Sequence, residues 1–69
     1  MIRTRLSALL KERSWTQAEL ARRAGLRPAT VNALLHGQAK GIDFSTLDAL
    51  CSAMKVGPGE ILERTSRKA

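Results

Sequence analysis

Two short amphipathic runs that meet at one glycine constrain this chain most strongly: TQAELARRAGLRPATVNALLHG, residues 16–37. Gly25 suits the end of a first helix because glycine enters the left-handed conformation without a Cβ penalty. Pro28 suits the start of a second helix because its missing N–H would be unpaired at that position. The pattern predicts a helix, a tight turn and a second helix over about residues 16–36.

A capping box predicts where the first of these two helices starts. Thr16 is followed three residues later by Glu19, so each side chain can accept a hydrogen bond from the other's free backbone N–H. Trp15 before the cap and Leu20 one turn into the helix occupy the positions of a hydrophobic staple. The small Ala21 that follows lets the two helices of the motif approach each other closely.

Three further helices complete an all-α interpretation of the 69 residues as one domain, with no convincing strand. Apolar spacing predicts a helix from about Arg3 to Arg13. Asp43 is the predicted N-cap of a fourth helix, and a short fifth helix runs from Pro58 through Leu62. The basic tail, residues 64–69, is predicted to be frayed. The predicted buried face of the fourth helix consists of Phe44, Leu47, Leu50, Cys51 and Met54.

The distribution of charge favours a polyanionic partner. The net charge is +6, and the pI is near 10.8. Residues 1–40 carry eight lysines and arginines against two acidic residues, whereas residues 41–69 carry four of each. A basic half on so small a domain is typical of nucleic-acid binding, although a generally basic surface is the alternative interpretation.

Several classes of protein do not fit the sequence. No run of about 18 apolar residues could span a membrane, and no secretory signal is recognisable. The one cysteine, Cys51, cannot form an internal disulfide, which favours a reducing, cytoplasmic location. The chain shows no metal-ligand cluster, phosphate-binding loop or nucleophile–base pair, so we expect no enzyme activity, no metal and no cofactor.

Three segments, WTQAELARRAGL, TVNALLHG and FSTLDALCSAMKVGPGEIL, resemble the DNA-binding domains of Cro and the phage repressors, the XRE family. The similarity runs from about residue 6 to residue 62. The resemblance implies a compact, all-α, five-helix domain of the phage-repressor type that binds operator DNA, commonly as a dimer. Its third helix, residues 28–36, would then lie in the major groove. Arg27 stands where many members have a capping serine or threonine, and a guanidinium cannot accept a hydrogen bond.

The outward face of that third helix supplies the candidate base contacts. At about 100° per residue, Val31 and Leu34 face the core while Asn32 lies outside. Asn32 is the best candidate because its amide can pair with an adenine edge. The methyl groups of Ala29 and Ala33 can contact thymine methyls. His36 can contact a base or a phosphate, or cap the helix. Arg27, just before the helix, can read guanine or bind a phosphate.

Candidate phosphate contacts flank the same helix. Thr16 and Gln17 lie at the amino end of the second helix, where free N–H groups attract phosphate. The resemblance implies that the position of Gln17 touches the DNA backbone. Arg27 precedes the third helix, and Gln38 and Lys40 follow it, so all three could contact the backbone on either side of the groove.

The leading hypothesis is therefore a sequence-specific transcriptional regulator, a repressor that binds double-stranded DNA as a homodimer. The palindromic operator would be read by residues 28–36 of each copy. An alternative is an antitoxin-like DNA binder or protein-interaction module that holds a toxin or regulatory partner, which an adjacent toxin gene or a co-purifying protein would reveal. Ile42 and Ile61 are the predicted apolar contacts of a dimer.

Overall fold

Five helices and a two-stranded sheet form residues 2–64, the part of the chain that the computed structural model describes. All five predicted helices are present, and the motif predicted over about residues 16–36 consists of the second helix, a turn and the third helix. In chain order the elements are β1 (Ile2–Thr4), α1 (Leu6–Arg13), α2 (Gln17–Ala24), α3 (Pro28–Leu35), α4 (Phe44–Met54), α5 (Pro58–Ile61) and β2 (Leu62–Arg64).

The small sheet corrects the all-α prediction. β1 and β2 pair antiparallel, with Ile2 opposite Arg64 and Thr4 opposite Leu62. Each strand is only three residues long. A three-residue strand is too short to show a period-2 pattern, and its partner lies at the other end of the described chain. Local sequence patterns therefore could not reveal the pairing.

The sheet also moves three predicted boundaries. α1 begins at Leu6 rather than near Arg3, and α5 ends at Ile61 because Leu62 is already the first residue of β2. Arg64 belongs to β2 rather than to a frayed tail. Residues 65–69, the remainder of that predicted tail, lie outside the described residues.

One apolar core joins all five helices, and α2 packs against both α3 and α4. Ala21 on α2 is only 4% exposed, as expected for a residue that allows close helix packing. The exposed fraction is below a tenth for every member of this core: Leu6, Leu9, Leu10, Leu20, Ala21, Val31, Leu34, Leu50, Met54 and Ile61.

Two apolar residues lie elsewhere than predicted. Phe44, predicted on the buried face of α4, is 88% exposed. It lies in the first turn of α4 and about 120° around the helix from Leu50, so its side chain projects past the core. Ile61, predicted as a dimer contact, is fully buried in the core and is unavailable to a partner. Ile42, the other predicted dimer contact, is half-buried.

The N-cap of α4 is confirmed. The Asp43 carboxylate accepts a hydrogen bond from the Thr46 backbone N–H at 2.9 Å. Hydrogen bonding by Thr46, with a smaller contribution from Ser45, holds the pKa of Asp43 below its usual value. Within residues 2–64, no helix is both long enough and apolar enough to cross a membrane.

Candidate nucleic-acid interface

The amino end of α2 carries two candidate phosphate ligands. The Thr16 hydroxyl oxygen accepts the Glu19 backbone N–H at 3.1 Å, which confirms that Thr16 is the N-cap. Only this half of the predicted capping box forms, because the Glu19 carboxylate pairs with Arg22 and Arg23 instead. Thr16 is exposed and Gln17 half-exposed, so both remain accessible at a helix end that favours anions.

Glu19 engages two of the cations on α2. Hydrogen bonds from Arg22 and then Arg23 lower the pKa of Glu19. The Arg23 guanidinium also lies 4.5 Å from the centroid of the Trp15 ring, a distance typical of a cation–π contact. Trp15 is half-buried against the core that contains Leu20, its predicted partner in the staple. These contacts make Arg22 and Arg23 part of the domain's own surface structure, so they are poorer candidates for DNA ligands than unpaired cations.

The turn between α2 and α3 sets the direction of α3. Gly25 has φ +69°, and its N–H donates to the carbonyl oxygens of Ala21 and Arg22. The Leu26 N–H donates to the Ala21 carbonyl at 2.9 Å, which completes a left-handed helix end. Arg27 then enters α3 with an extended backbone and forms no side-chain cap, as predicted from its chemistry.

The orientation of α3 agrees largely with the helical period. Val31 and Leu34 are buried, and Leu35 packs partly against the core. Ala33 departs from the expectation, because it is half-buried beside a hollow that it lines together with Ile42. Its methyl group is therefore less accessible to DNA than that of Ala29. The exposed residues of α3 and its two caps are Arg27, Pro28, Ala29, Asn32 and His36.

A hydrogen bond joins a candidate phosphate ligand to a candidate base reader. The Gln17 Nε2 donates to the Asn32 Oδ1 at 3.3 Å, from the first turn of α2 to the middle of α3. Asn32 keeps its two Nδ2–H donors and a second lone pair on Oδ1, and Gln17 keeps its second Nε2–H. Both residues are candidates from the sequence, but local patterns do not predict the contact between them, since 15 positions separate them and only the turn between α2 and α3 brings them together.

The segment after α3 carries the last two candidates. The Gln38 N–H donates to the Ala33 carbonyl at 2.9 Å, and Gly37 adopts φ +70°, so the chain turns sharply away from α3. Gln38 and Lys40 are both exposed on this segment. His36 is the C-cap of α3: its backbone N–H donates to the Asn32 carbonyl, and its ring is exposed.

The lysines and arginines between residues 13 and 40 fall into two groups. Arg13, Arg22 and Arg23 contact acidic side chains, a carbonyl or the Trp15 ring. Within residues 2–64, neither Arg27 nor Lys40 forms an ion pair, and both are exposed. Arg27 and Lys40, the two cations that flank α3, are therefore the ones best able to bind phosphate. No three acidic, histidine or cysteine side chains within the same residues are grouped to hold a metal ion.

Comparisons with known proteins identify a DNA-binding family. The model of the Cro/C1-type HTH DNA-binding domain matches residues 5–66. An uncharacterized HTH-type transcriptional regulator of Bacillus subtilis, YozG, is 39% identical over 61 residues, which cover 88% of this chain and 73% of that protein. No solved structure matches the chain at a significant level. With α2 packed against α3 across a tight turn and a family match over nearly its whole length, the chain belongs to the Cro/C1-type helix-turn-helix DNA-binding family.

Proposed function

We propose that this protein is a sequence-specific transcriptional regulator that represses by occupying a palindromic operator, with α3 in the major groove. The observation that carries the proposal is the Gln17–Asn32 hydrogen bond, beside the short exposed side chains of Pro28 and Ala29. Hydrogen bonds to base edges carry sequence information, whereas phosphate contacts set position. A side-chain pair that combines both functions suits a regulator that must find one site among many.

Asn32 is the proposed reader of an adenine. Adenine presents N7 as an acceptor and N6–H as a donor in the major groove. Asn32 can donate from Nδ2 to N7 and accept from N6–H with the lone pair of Oδ1 that Gln17 leaves free. The bond from Gln17 also restricts the Asn32 side chain before DNA arrives, which lowers the entropy lost on binding.

Short neighbours let α3 approach the bases. Pro28 and Ala29 precede Asn32 on the exposed side of α3, and neither carries a long side chain. The Ala29 methyl is the proposed contact for a thymine methyl, and His36 reaches a base or a phosphate at the other end of the helix. Half-buried Ala33 contributes by leaving the groove side of the helix uncrowded.

Phosphate ligands on both sides of α3 hold the helix in place. Thr16 and Gln17 present the amino end of α2, which favours phosphate. Arg27 before α3, and Gln38 and Lys40 after it, extend this contact along the backbone. Arg27 immediately precedes the first turn of α3, so it could read a guanine instead. Binding titrations of Arg27→Ala separate phosphate binding from guanine reading.

A homodimer on DNA follows from the size of the site that one copy can read. One recognition helix covers only a few base pairs, and a two-fold pair reads a palindrome whose half-sites are about 34–36 Å apart. The longest dimension of the domain is 33 Å, so two copies fit side by side at that spacing. Footprinting should reveal two short half-sites. One asymmetric site bound by a single copy would contradict the dimer.

Binding titrations at one fixed salt concentration test base reading. A duplex selected from a random pool is compared with an unselected duplex. Asn32→Ala should reduce the free energy of binding to the selected duplex by about 1–3 kcal/mol and to the unselected duplex by far less, because only binding to the selected duplex depends on base contacts. Ser52→Ala, an exposed substitution on α4, is the control and should change the affinity for neither duplex. Equal losses on both duplexes would remove Asn32 from base reading.

Two further variants separate the remaining roles. Gln17→Ala should weaken binding to both duplexes through the lost phosphate contact, and to the selected one more, because Asn32 loses its partner. Arg27→Ala should weaken binding to both duplexes alike if Arg27 binds phosphate, and mainly to the selected duplex if it reads guanine. If Asn32→Ala, Gln17→Ala and Arg27→Ala all bind both duplexes like the parent, α3 does not face DNA.

A further inference from the structure

The outer edge of β1 offers unpaired backbone groups. Within residues 2–64, β1 pairs only with β2. The Arg5 N–H donates to the Ile61 carbonyl at 2.6 Å, and Arg3 lies opposite Glu63 in the ladder. In an antiparallel pair, every second residue of a strand directs its backbone N–H and C=O at the partner strand, so the backbone groups of Arg3 and Arg5 point to β2. The N–H and C=O of Ile2 and Thr4 therefore point to the open edge, which is a template for a further strand.

A groove runs along this open edge. Its volume is about 720 Å³, and residues 2–5 line it together with Leu62 and Glu63 of β2. The opposite wall is the end of α3 and the segment that leads to α4. Ile2 at the rim is 62% exposed. The apolar residues lining the walls include Ala8, Leu35, Ala39 and Ile42.

The groove is positively charged. Its charged residues are three cations, Arg3, Arg5 and Lys40, and one carboxylate, Glu63. Arg3 pairs with Glu63, and among the described residues neither Arg5 nor Lys40 has an ion-pair partner. The Arg5 guanidinium also donates to the Glu60 carbonyl, a contact that holds it near the sheet and leaves its charge unneutralised.

We propose that this groove binds an extended segment of another protein in which apolar and acidic residues alternate, added as a strand to the edge of β1. The backbone groups of Ile2 and Thr4 would hydrogen-bond to the segment, as in other cases of strand addition. Successive side chains of a strand point to opposite sides. The apolar ones would enter the groove, and the acidic ones would reach Arg5 and Lys40.

Charge favours such a partner over a second copy of this chain. Two β1 strands paired about a two-fold axis with Ile2 opposite Thr4 would place Arg3 opposite Arg3, and like charges opposite each other destabilise a strand pair. They would also bring together two groove rims that are both basic. This partner site shares Lys40 with the proposed phosphate contacts, but its edge residues, Ile2 and Thr4, have no part in DNA binding, so the two proposals can fail separately.

The probe is a capped seven-residue peptide of alternating valine and glutamate, titrated into the full-length protein and followed by amide NMR. We expect saturable binding with a dissociation constant below about 1 mM, which corresponds to about 4 kcal/mol. Hydrogen exchange gives the decisive pattern. The amides of Ile2 and Thr4 should exchange more slowly with peptide bound, whereas those of Arg3 and Arg5, already facing β2, should change little.

Variants test each element of the site. Thr4→Pro removes an edge N–H and should abolish peptide binding, whereas Thr4→Val loses the hydroxyl bond to the Leu34 carbonyl but keeps the N–H and should still bind. Lys40→Gln should weaken binding of the glutamate peptide roughly two- to fivefold, as for an exposed ion pair. Lys55→Gln, an exposed lysine outside the groove, is the matched control and should have no effect.

Three outcomes would overturn the proposal. The first is equally tight binding of a peptide with lysine in place of glutamate. The second is no binding of the glutamate peptide, or binding to the parent without protection of Ile2 and Thr4. The third is self-association of the protein alone, detected by sedimentation, with the same two amides protected, since that would assign the edge to a second copy. If Thr4→Pro does not fold, the exchange pattern of the parent still decides.

Discussion

Ala21→Leu should reveal how closely the helices of the DNA-binding motif pack. Ala21 lies on α2, is 4% exposed and belongs to the core that also contains Leu20 and Leu34. α2 contacts both α3 and α4, so the space around its buried face is enclosed by two neighbours. Leucine adds an isopropyl group at this position, and α2 must shift or the neighbouring side chains must leave their preferred rotamers.

The expected loss is a large part of the domain's stability. Overpacking of a filled core costs about 1–3 kcal/mol. A domain of this length has a free energy of unfolding of about 3–10 kcal/mol, at roughly 0.05–0.15 kcal/mol per residue. In a domain of this size, each kcal/mol lowers Tm by about 4–8 °C. Ala21→Leu should therefore lower Tm by about 4–24 °C.

Thermal melts followed by circular dichroism measure this loss, and urea titrations give the free energy directly. Ala18→Leu is the matched control, because Ala18 is exposed on the same helix and the change is the same. The free energy of unfolding of Ala18→Leu should stay within about 0.5 kcal/mol of the parent's. An Ala21→Leu protein with the same Tm as the parent would refute the close packing of α2 against α3 and α4.

Four other predictions concern the caps, the turn, acid stability and salt. Thr16→Ala removes the acceptor of the Glu19 N–H and should cost about 1 kcal/mol in urea titrations. Gly25→Ala places a Cβ at φ +69° and should cost about 1–2 kcal/mol in the same assay, from backbone strain alone, because no atom beyond its chain neighbours lies within 4 Å of that Cβ. The pKa of Glu19 is lowered in the folded state from its ordinary 4.5, so its contribution is complete above that pH and is lost as the pH falls through the lowered pKa. Melts across the acid range should accordingly show a weaker pH dependence for Glu19→Gln, and an unchanged one would contradict the assignment. Lys40→Ala should make the slope of log K against log salt shallower by about one unit in DNA titrations, whereas an unchanged slope would show that Lys40 contacts no phosphate.

Local signals were enough to predict the helix-turn-helix. Thr16 caps α2, Gly25 ends it and Pro28 starts α3, and each does so through interactions within a few residues of itself. The helical period then separated the buried side of α3 from Asn32 on its exposed side. These features were predictable because a cap or a turn depends on backbone geometry that neighbouring residues determine.

The side-chain contacts of the interface were not predictable in the same way. Glu19 was assigned to the second half of a capping box, but arginines one turn along the same helix compete for its carboxylate. Phe44 is one of the apolar residues of α4, but it lies about 120° around the helix from Leu50 and is 88% exposed. An apolar pattern does not say how wide a strip of the helix its neighbours cover.

The segments outside the motif depended entirely on tertiary structure. Arg3 and Thr4 were predicted to belong to the first helix, but in the structure they pair with Glu63 and Leu62, because a strand is stabilised by a partner and not by its own sequence. The same pairing creates the open edge and the charged groove next to α3. Local sequence therefore determined where the helices and the turn of the DNA-binding motif begin and end. The sheet, the groove and the Gln17–Asn32 hydrogen bond form only when distant parts of the chain meet.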